Sequence, residues 1–134
     1  MPTVTEFLNE AKIFYMATRD GDQPKVRPLG LHLAVDGKVL FGVGEFKEVY
    51  RQLIANPQVE IAATRLPDMH WMRYTGRAVF ETDPRYAALA LEAMPNLKKV
   101  YTDEPGKRLM MFHLEDASAV VIPMMGPGDP LEIA

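Results

Sequence analysis

The chain has 134 residues, 48% hydrophobic and 25% charged, the composition of an ordinary folded protein, with room for one domain and none for a second. Its net charge of −3 lacks the positive field that nonspecific nucleic-acid binding needs, so any anion site has to be local. With no cysteines, disulfides, thiolate metal sites and cysteine nucleophiles are excluded, and a reducing, cytoplasmic setting fits.

Thr3-Val4-Thr5-Glu6 has capping-box spacing and predicts a short helix over residues 4–11 that turns Phe7 and Leu8 to the core. Its polar, acidic lead-in does not read as a signal peptide, and no apolar run approaches the roughly 20 residues of a membrane helix, so no membrane partner is expected. Lys12–Arg19 reads as a strand, followed by a turn at Asp20-Gly21-Asp22. Two strands are expected at about 24–35 and 38–43, joined by Asp36-Gly37, the strongest short-range hairpin signal; this would pair the strand of Arg27 with the one ending at Val43. Pro24 and Pro28 lack an N–H, which predicts an edge or a strand leaving the ladder.

Apolar residues at 46, 49, 50, 53 and 54 predict a helix over 46–55, stopped by Asn56-Pro57. Val59–Arg65 and His70–Thr82 read as strands flanking a loop, with Gly76 suggesting a bulge. Asp83-Pro84 opens a second amphipathic helix that Pro95 interrupts, and Pro105-Gly106 is a turn before two strands, Leu109–Leu114 and Ala117–Ile122. The end, GPGDPLEIA, is turn-rich and expected to be loose unless a partner orders it. The pattern is α+β, with six to seven mainly antiparallel strands closing as a small barrel and a few short helices.

Several chemistries lack their residues. His32, His70 and His113 are far apart with no HxH or HxxxH pairing, so no metal is expected. There is no GxSxG, and Ser118 is the only serine, placed in an apolar strand. Gly42-Val43-Gly44 lacks the third glycine of a dinucleotide fingerprint. What remains is Arg27, Lys47 and Arg51 near the first turn of a helix whose N–H groups point outward, a seat for phosphate; the alternative is a solvated face of an amphipathic helix.

The run VRPLG, a DGK hairpin, KxVYxQL, NPxVEI and WMRYTGRAVF, in that order over roughly residues 7–122, resembles the small FMN-binding split-barrel proteins related to pyridoxamine 5′-phosphate oxidase. The resemblance implies a Greek-key split β-barrel that binds FMN between the subunits of a homodimer. It implies that Arg27 and Lys47 neutralise the phosphate, that Pro28, Leu29 and Gly30 run beneath the flavin, and that Gly42 and Val43 bring backbone against it. Tyr50 and Gln52 are further polar candidates, and Trp71, Met72 and Arg73 would come from the other subunit. The function implied is FMN-dependent oxidoreduction of a small substrate, with no catalytic acid or base identified; Tyr15, Arg73 and His113 are candidate substrate contacts, each equally readable as structural. The alternatives are a non-catalytic flavin-binding or sensor module, and the same barrel holding deazaflavin F420 or haem.

The chain also departs from the oxidases proper. His32 stands where they carry a lysine, Glu45-Phe46-Lys47 stands in place of a serine-arginine-lysine cluster, and the segment after Leu114 contains no lysine or arginine. A second anion site for a phosphorylated substrate is therefore missing, and pyridoxamine 5′-phosphate oxidase activity is not expected.

Overall fold

Helix α1 (Val4–Ala11) forms where its cap dictates: Thr3 accepts from the Glu6 N–H, and the Glu6 carboxylate accepts from the Thr3 N–H. Val4, Phe7 and Leu8 on its inner face are fully buried. The computed structural model to which these details belong describes residues 3–133; residues 1, 2 and 134 lie outside the described residues. β1 (Phe14–Asp20) and β2 (Gln23–Leu29) form a hairpin around Gly21, whose φ of 60° only glycine adopts freely. The Asp36-Gly37 turn also forms as expected, with φ of 55° and 72° at the two central residues, between β3 (His32–Val35) and β4 (Lys38–Gly44).

The expected strand at 24–35 is two strands. Its break at Gly30-Leu31 sends β2 to one edge of the sheet and β3 to the other. The order is β2-β1-β5-β6-β7-β4-β3, through β5 (Gln58–Arg65), β6 (His70–Phe80) and β7 (Leu109–Ile122), with the two-residue β8 (Asp129–Pro130) added on β7. Every strand pairing is antiparallel. Because β2 and β3 are joined by so short a link, the sheet must curl until its ends meet, and since they do not pair with each other the barrel stays split along that line.

A second correction concerns β7, read from sequence as two strands and found as one. At Gly76 the register with β7 shifts: Thr75 faces Ser118 and Arg77 faces Glu115, so Asp116 and Ala117 together oppose one residue. Asp116, at φ 50°, absorbs the extra residue and lets the ladder continue. Gly76 is required by close approach, since a Cβ there would lie 3.0 Å from the Leu114 Cβ and 3.1 Å from the Glu115 carbonyl.

The barrel interior is filled by Phe14, Met16, Phe41, Ile61, Met72, Tyr74 and Phe112, closed at its ends by α1 and by Val49 and Leu53 of α2 (Glu48–Ala55). α3 (Pro84–Ala93), capped by Asp83 as expected, packs Tyr86 and Ala90 on Leu40, Leu109 and Met111 outside the barrel, and a 3-10 turn (Pro95–Lys99) follows it. The turn-rich end is tied back: β8 pairs with Val120 and Val121, Val4 N–H donates to the Glu132 carbonyl, and Leu131 is buried. No helix among the described residues is long and apolar enough to cross a membrane.

Candidate functional site

Where the two edges of the sheet meet, a cavity of about 410 Å³ opens. Arg27, Pro28 and Leu29 of β2 form one wall, Gly42, Val43 and Gly44 of β4 another, and the start of α2 with Tyr101 the rest. Arg27 does not reach it as the hairpin signal predicts. Its strand pairs with β1, Arg27 opposite Met16, and not with β4; the partner of β4 in the Asp36-Gly37 hairpin is the short β3. Arg27 and Gly42 face one cavity because they lie across the split.

The electrostatics of this cavity are lopsided. Arg27 donates to the Met16 carbonyl at 3.2 Å, to Thr18 Oγ1 at 2.7 Å and to Gln52 Oε1 at 2.7 Å, all neutral acceptors. Thr18 in turn donates to Gln52 Oε1 at 2.6 Å, and both Thr18 and Gln52 are buried. The guanidinium is thus aimed and held with no carboxylate partner among the described residues, and burial lowers its pKa from the ordinary value because leaving water disfavours the charged form. Lys47 likewise has no carboxylate partner among the described residues; its Nζ lies 5.4 Å from the centre of the Phe46 ring. Lys47 is also the N-cap of α2 and makes no side-chain cap, which leaves the first N–H groups of the helix for another acceptor.

Arg51, the third cation the sequence brings near, is occupied by Asp20 at 3.2 Å and Glu48 at 3.3 Å. Glu45, which would repel an anion, is turned away: its Oε1 accepts from the Gly106 N–H at 2.8 Å.

Of the other expected residues, Pro28, Leu29, Gly42 and Val43 line the cavity. Gly30 lies beside the Lys12 carbonyl and is not part of the lining. Tyr50 packs edge-on against Phe80 and faces a different cavity, and Gln52 is buried behind Arg27. Met72 is fully buried in the barrel core, while Trp71 and Arg73, the latter 4.9 Å from the indole, lie on the outer face of the sheet, away from the cavity. Tyr15 is on that outer face too, half exposed. His113 sits between Glu81 and Glu115, at 2.6 and 2.9 Å, with its ring and the Glu81 side chain mostly buried.

Sequence reasoning misses Thr18 and Tyr101. Thr18 shows only as an inward position of an alternating strand, and Tyr101, in an irregular segment, carries no local signal at all.

A second and larger cavity, about 900 Å³, lies between Tyr50, Phe80, the start of β7 and α3. Glu81 on its wall is paired with Lys38 at 3.0 Å and Asp83 with Arg85 at 3.8 Å. Its remaining charges are Glu92, Asp103, Lys98 and Arg108, acids and bases in equal number. No histidine lines either cavity.

Residues 1–120 match the family described as Pyridoxamine 5′-phosphate oxidase. Among solved structures, the chain is similar to a NimC/NimA family protein from Clostridium acetobutylicum, with 32% identity over 95% of this chain and 87% of that one and a TM-score of 0.85. A pyridoxamine 5′-phosphate oxidase-related, FMN binding protein from Nostoc punctiforme shares the fold at 14% identity, covering 82% of this chain and 75% of that one, with a TM-score of 0.60. So does a heme binding protein from Mycobacterium smegmatis, at 18% identity, 98% of this chain, 59% of that one and a TM-score of 0.73. No match is found among curated proteins. The chain belongs to the pyridoxamine 5′-phosphate oxidase family.

Proposed function

We propose, with that membership as premise, that the chain binds FMN in the cavity at the split and acts as an FMN-dependent oxidoreductase on a small substrate, working as a homodimer with the cofactor at the subunit interface. One observation carries the reading: Arg27 and Lys47, neither with a carboxylate partner among the described residues, converge with the uncapped start of α2 on a single cavity. That is a donor set for a phosphate, and Arg27 is pre-aimed by Thr18 and Gln52. Pro28 and Leu29 lie on an edge strand, whose backbone groups facing away from β1 are free for the polar edge of a flavin. The flavin, when bound, supplies the hydride chemistry; these residues hold and orient it.

The homodimer has its own support. On the outer sheet face, Tyr15, Ala62, Arg73 and Val120 lie in register across β1, β5, β6 and β7, with Val26 67% exposed on β2 beside them. Such a broad, partly apolar face suits a second copy of the chain, which would bring Trp71 and Arg73 toward the partner's cofactor.

Haem is the rival, because one fold relative is described as heme binding. The convergence of Arg27 and Lys47 on the split cavity, a donor set for phosphate, favours the flavin. A visible spectrum of the protein reconstituted with FMN or haemin tests this: flavin bands retained after gel filtration support the proposal, and retention of a Soret band alone overturns it. Retained deazaflavin F420 in place of FMN would correct the cofactor. Bleaching of the flavin by NADH or NADPH separates an enzyme from an inert binder or sensor. Light scattering on the loaded protein is expected to give a dimer, and a monomer that still holds FMN at micromolar concentration would remove the shared interface. Pyridoxine 5′-phosphate is expected to remain unoxidised, since the charged side chains over residues 115–134 are all acids, Glu115, Asp116, Asp129 and Glu132.

A further inference from the structure

Tyr101 belongs to no helix or strand, yet its position is fixed by several contacts. Its ring stacks on Phe46, with centres 5.8 Å apart and planes at 28°. Its Cε1 lies 2.9 Å from where a Cβ on Gly44 would sit, so glycine at the end of β4 is what lets the ring lie against the strand. Its backbone N–H donates to the Leu97 carbonyl at 2.9 Å.

The excursion that carries it, between α3 and β7, is clipped to the turn between β4 and α2. Glu45 Oε1 accepts from the Gly106 N–H at 2.8 Å, and the Glu45 N–H donates to the Arg108 carbonyl at 2.9 Å. That same turn carries Lys47, so the clip holds Tyr101 and the seat for the phosphate together from two separate segments of the chain. The Tyr101 hydroxyl makes no hydrogen bond among the described residues, while the ring lines the cavity with Arg27 and Lys47. Partial burial raises the phenol pKa from its ordinary value, so the group stays a neutral hydroxyl that can donate.

We infer that Tyr101 is a further cofactor-contacting residue, whose ring packs against bound FMN and whose hydroxyl donates to it, and that Glu45 is the positioning residue that holds Tyr101 in place. The inference rests on the FMN reading above. It explains why an acidic residue stands beside a phosphate seat: Glu45 is turned to the backbone of the excursion, where its charge serves as an acceptor.

The experiment measures FMN affinity and the fluorescence lifetime of bound FMN in the intact chain. A tyrosine ring in contact with an excited flavin gives it an electron and takes it back, which quenches emission with no net oxidation; phenylalanine does not. Tyr101→Phe is expected to lengthen the lifetime and to weaken FMN by about threefold to tenfold, the loss of one neutral hydrogen bond. Glu45→Ala is expected to lengthen part of the emission as Tyr101 comes loose, and Glu45→Gln, which keeps an acceptor, to restore the wild-type lifetime. A Tyr101→Phe protein with wild-type lifetime and affinity overturns the role of Tyr101 while leaving FMN binding intact. A Glu45→Ala protein with wild-type lifetime overturns the role of Glu45. Wild-type protein that takes up no FMN overturns the proposed function, and this inference with it.

Discussion

The two cavities border the same helix, α2, and differ in the way that matters for binding. The one under α3 is more than twice as large, but Glu81 and Asp83 are neutralised by Lys38 and Arg85 and its other charges balance. The one at the split is small, its single acid Glu48 is tied to Arg51, and it holds cations without a carboxylate partner among the described residues. A folded chain rarely keeps a partly buried guanidinium without a carboxylate unless something else supplies the charge. Imbalance of charge, more than volume, therefore marks the cavity at the split as the candidate site.

The comparison breaks most directly at Arg27. Arg27→Met is expected to lower FMN affinity about a hundredfold, near the upper end for a charged hydrogen bond, whereas Arg51→Met, already neutralised by Asp20 and Glu48, should change it less than about threefold. Equal effects of the two in an FMN titration would mean that ordinary surface electrostatics, and not an aimed cation, attracts the cofactor. Lys47→Ala comes next, with an expected loss of about tenfold to a hundredfold; its ammonium is a flexible point charge without the fixed fork of Arg27.

Glycines at the end of β4 sharpen the contrast by separating binding from stability. At Gly42 a Cβ would meet Met111 Sδ at 2.7 Å and Leu31 Cδ2 at 2.8 Å in the apolar cluster under α3, so Gly42→Ala should cost about 1–3 kcal/mol in urea unfolding. At Gly44 it would meet the side chains of Tyr101 and Lys47 at 2.9 and 3.1 Å, so Gly44→Ala should disturb FMN binding more than folding. The smallest effect is expected at the large cavity, where Glu92→Gln and Asp103→Asn should leave FMN affinity within about twofold, as for exposed groups that contribute little at a distance. A larger change in an FMN titration would show that the two cavities work as one site.

Much of the candidate site is legible in the sequence. Arg27 and Lys47 were found because an edge strand with prolines and a helix start lie close in sequence, and Asp36-Gly37 marked a hairpin that does form. The hairpin misled about pairing, since periodicity cannot show that the run before it is broken at Gly30-Leu31 and shared between opposite edges. The family resemblance implies Tyr50 and Gln52 as further polar candidates for the cofactor. Gln52 instead turns inward as the acceptor that aims Arg27, which depends on Thr18, thirty-four residues away.

By itself the sequence determined the local structure: the capping box of α1, the Asp83 cap of α3, the turns at Gly21 and Gly37, and the glycine of the β6–β7 bulge. These are decided by backbone sterics and by hydrogen bonds within a few residues, which a short window of sequence contains. Only the tertiary structure decided that the sheet's ends meet across a split, that Arg51 is neutralised while Arg27 is not, and that Glu45 reaches Gly106 to carry Tyr101 to the cavity. Each of these depends on which distant groups share a charge or a donor, and that pairing is settled when the barrel closes around its core.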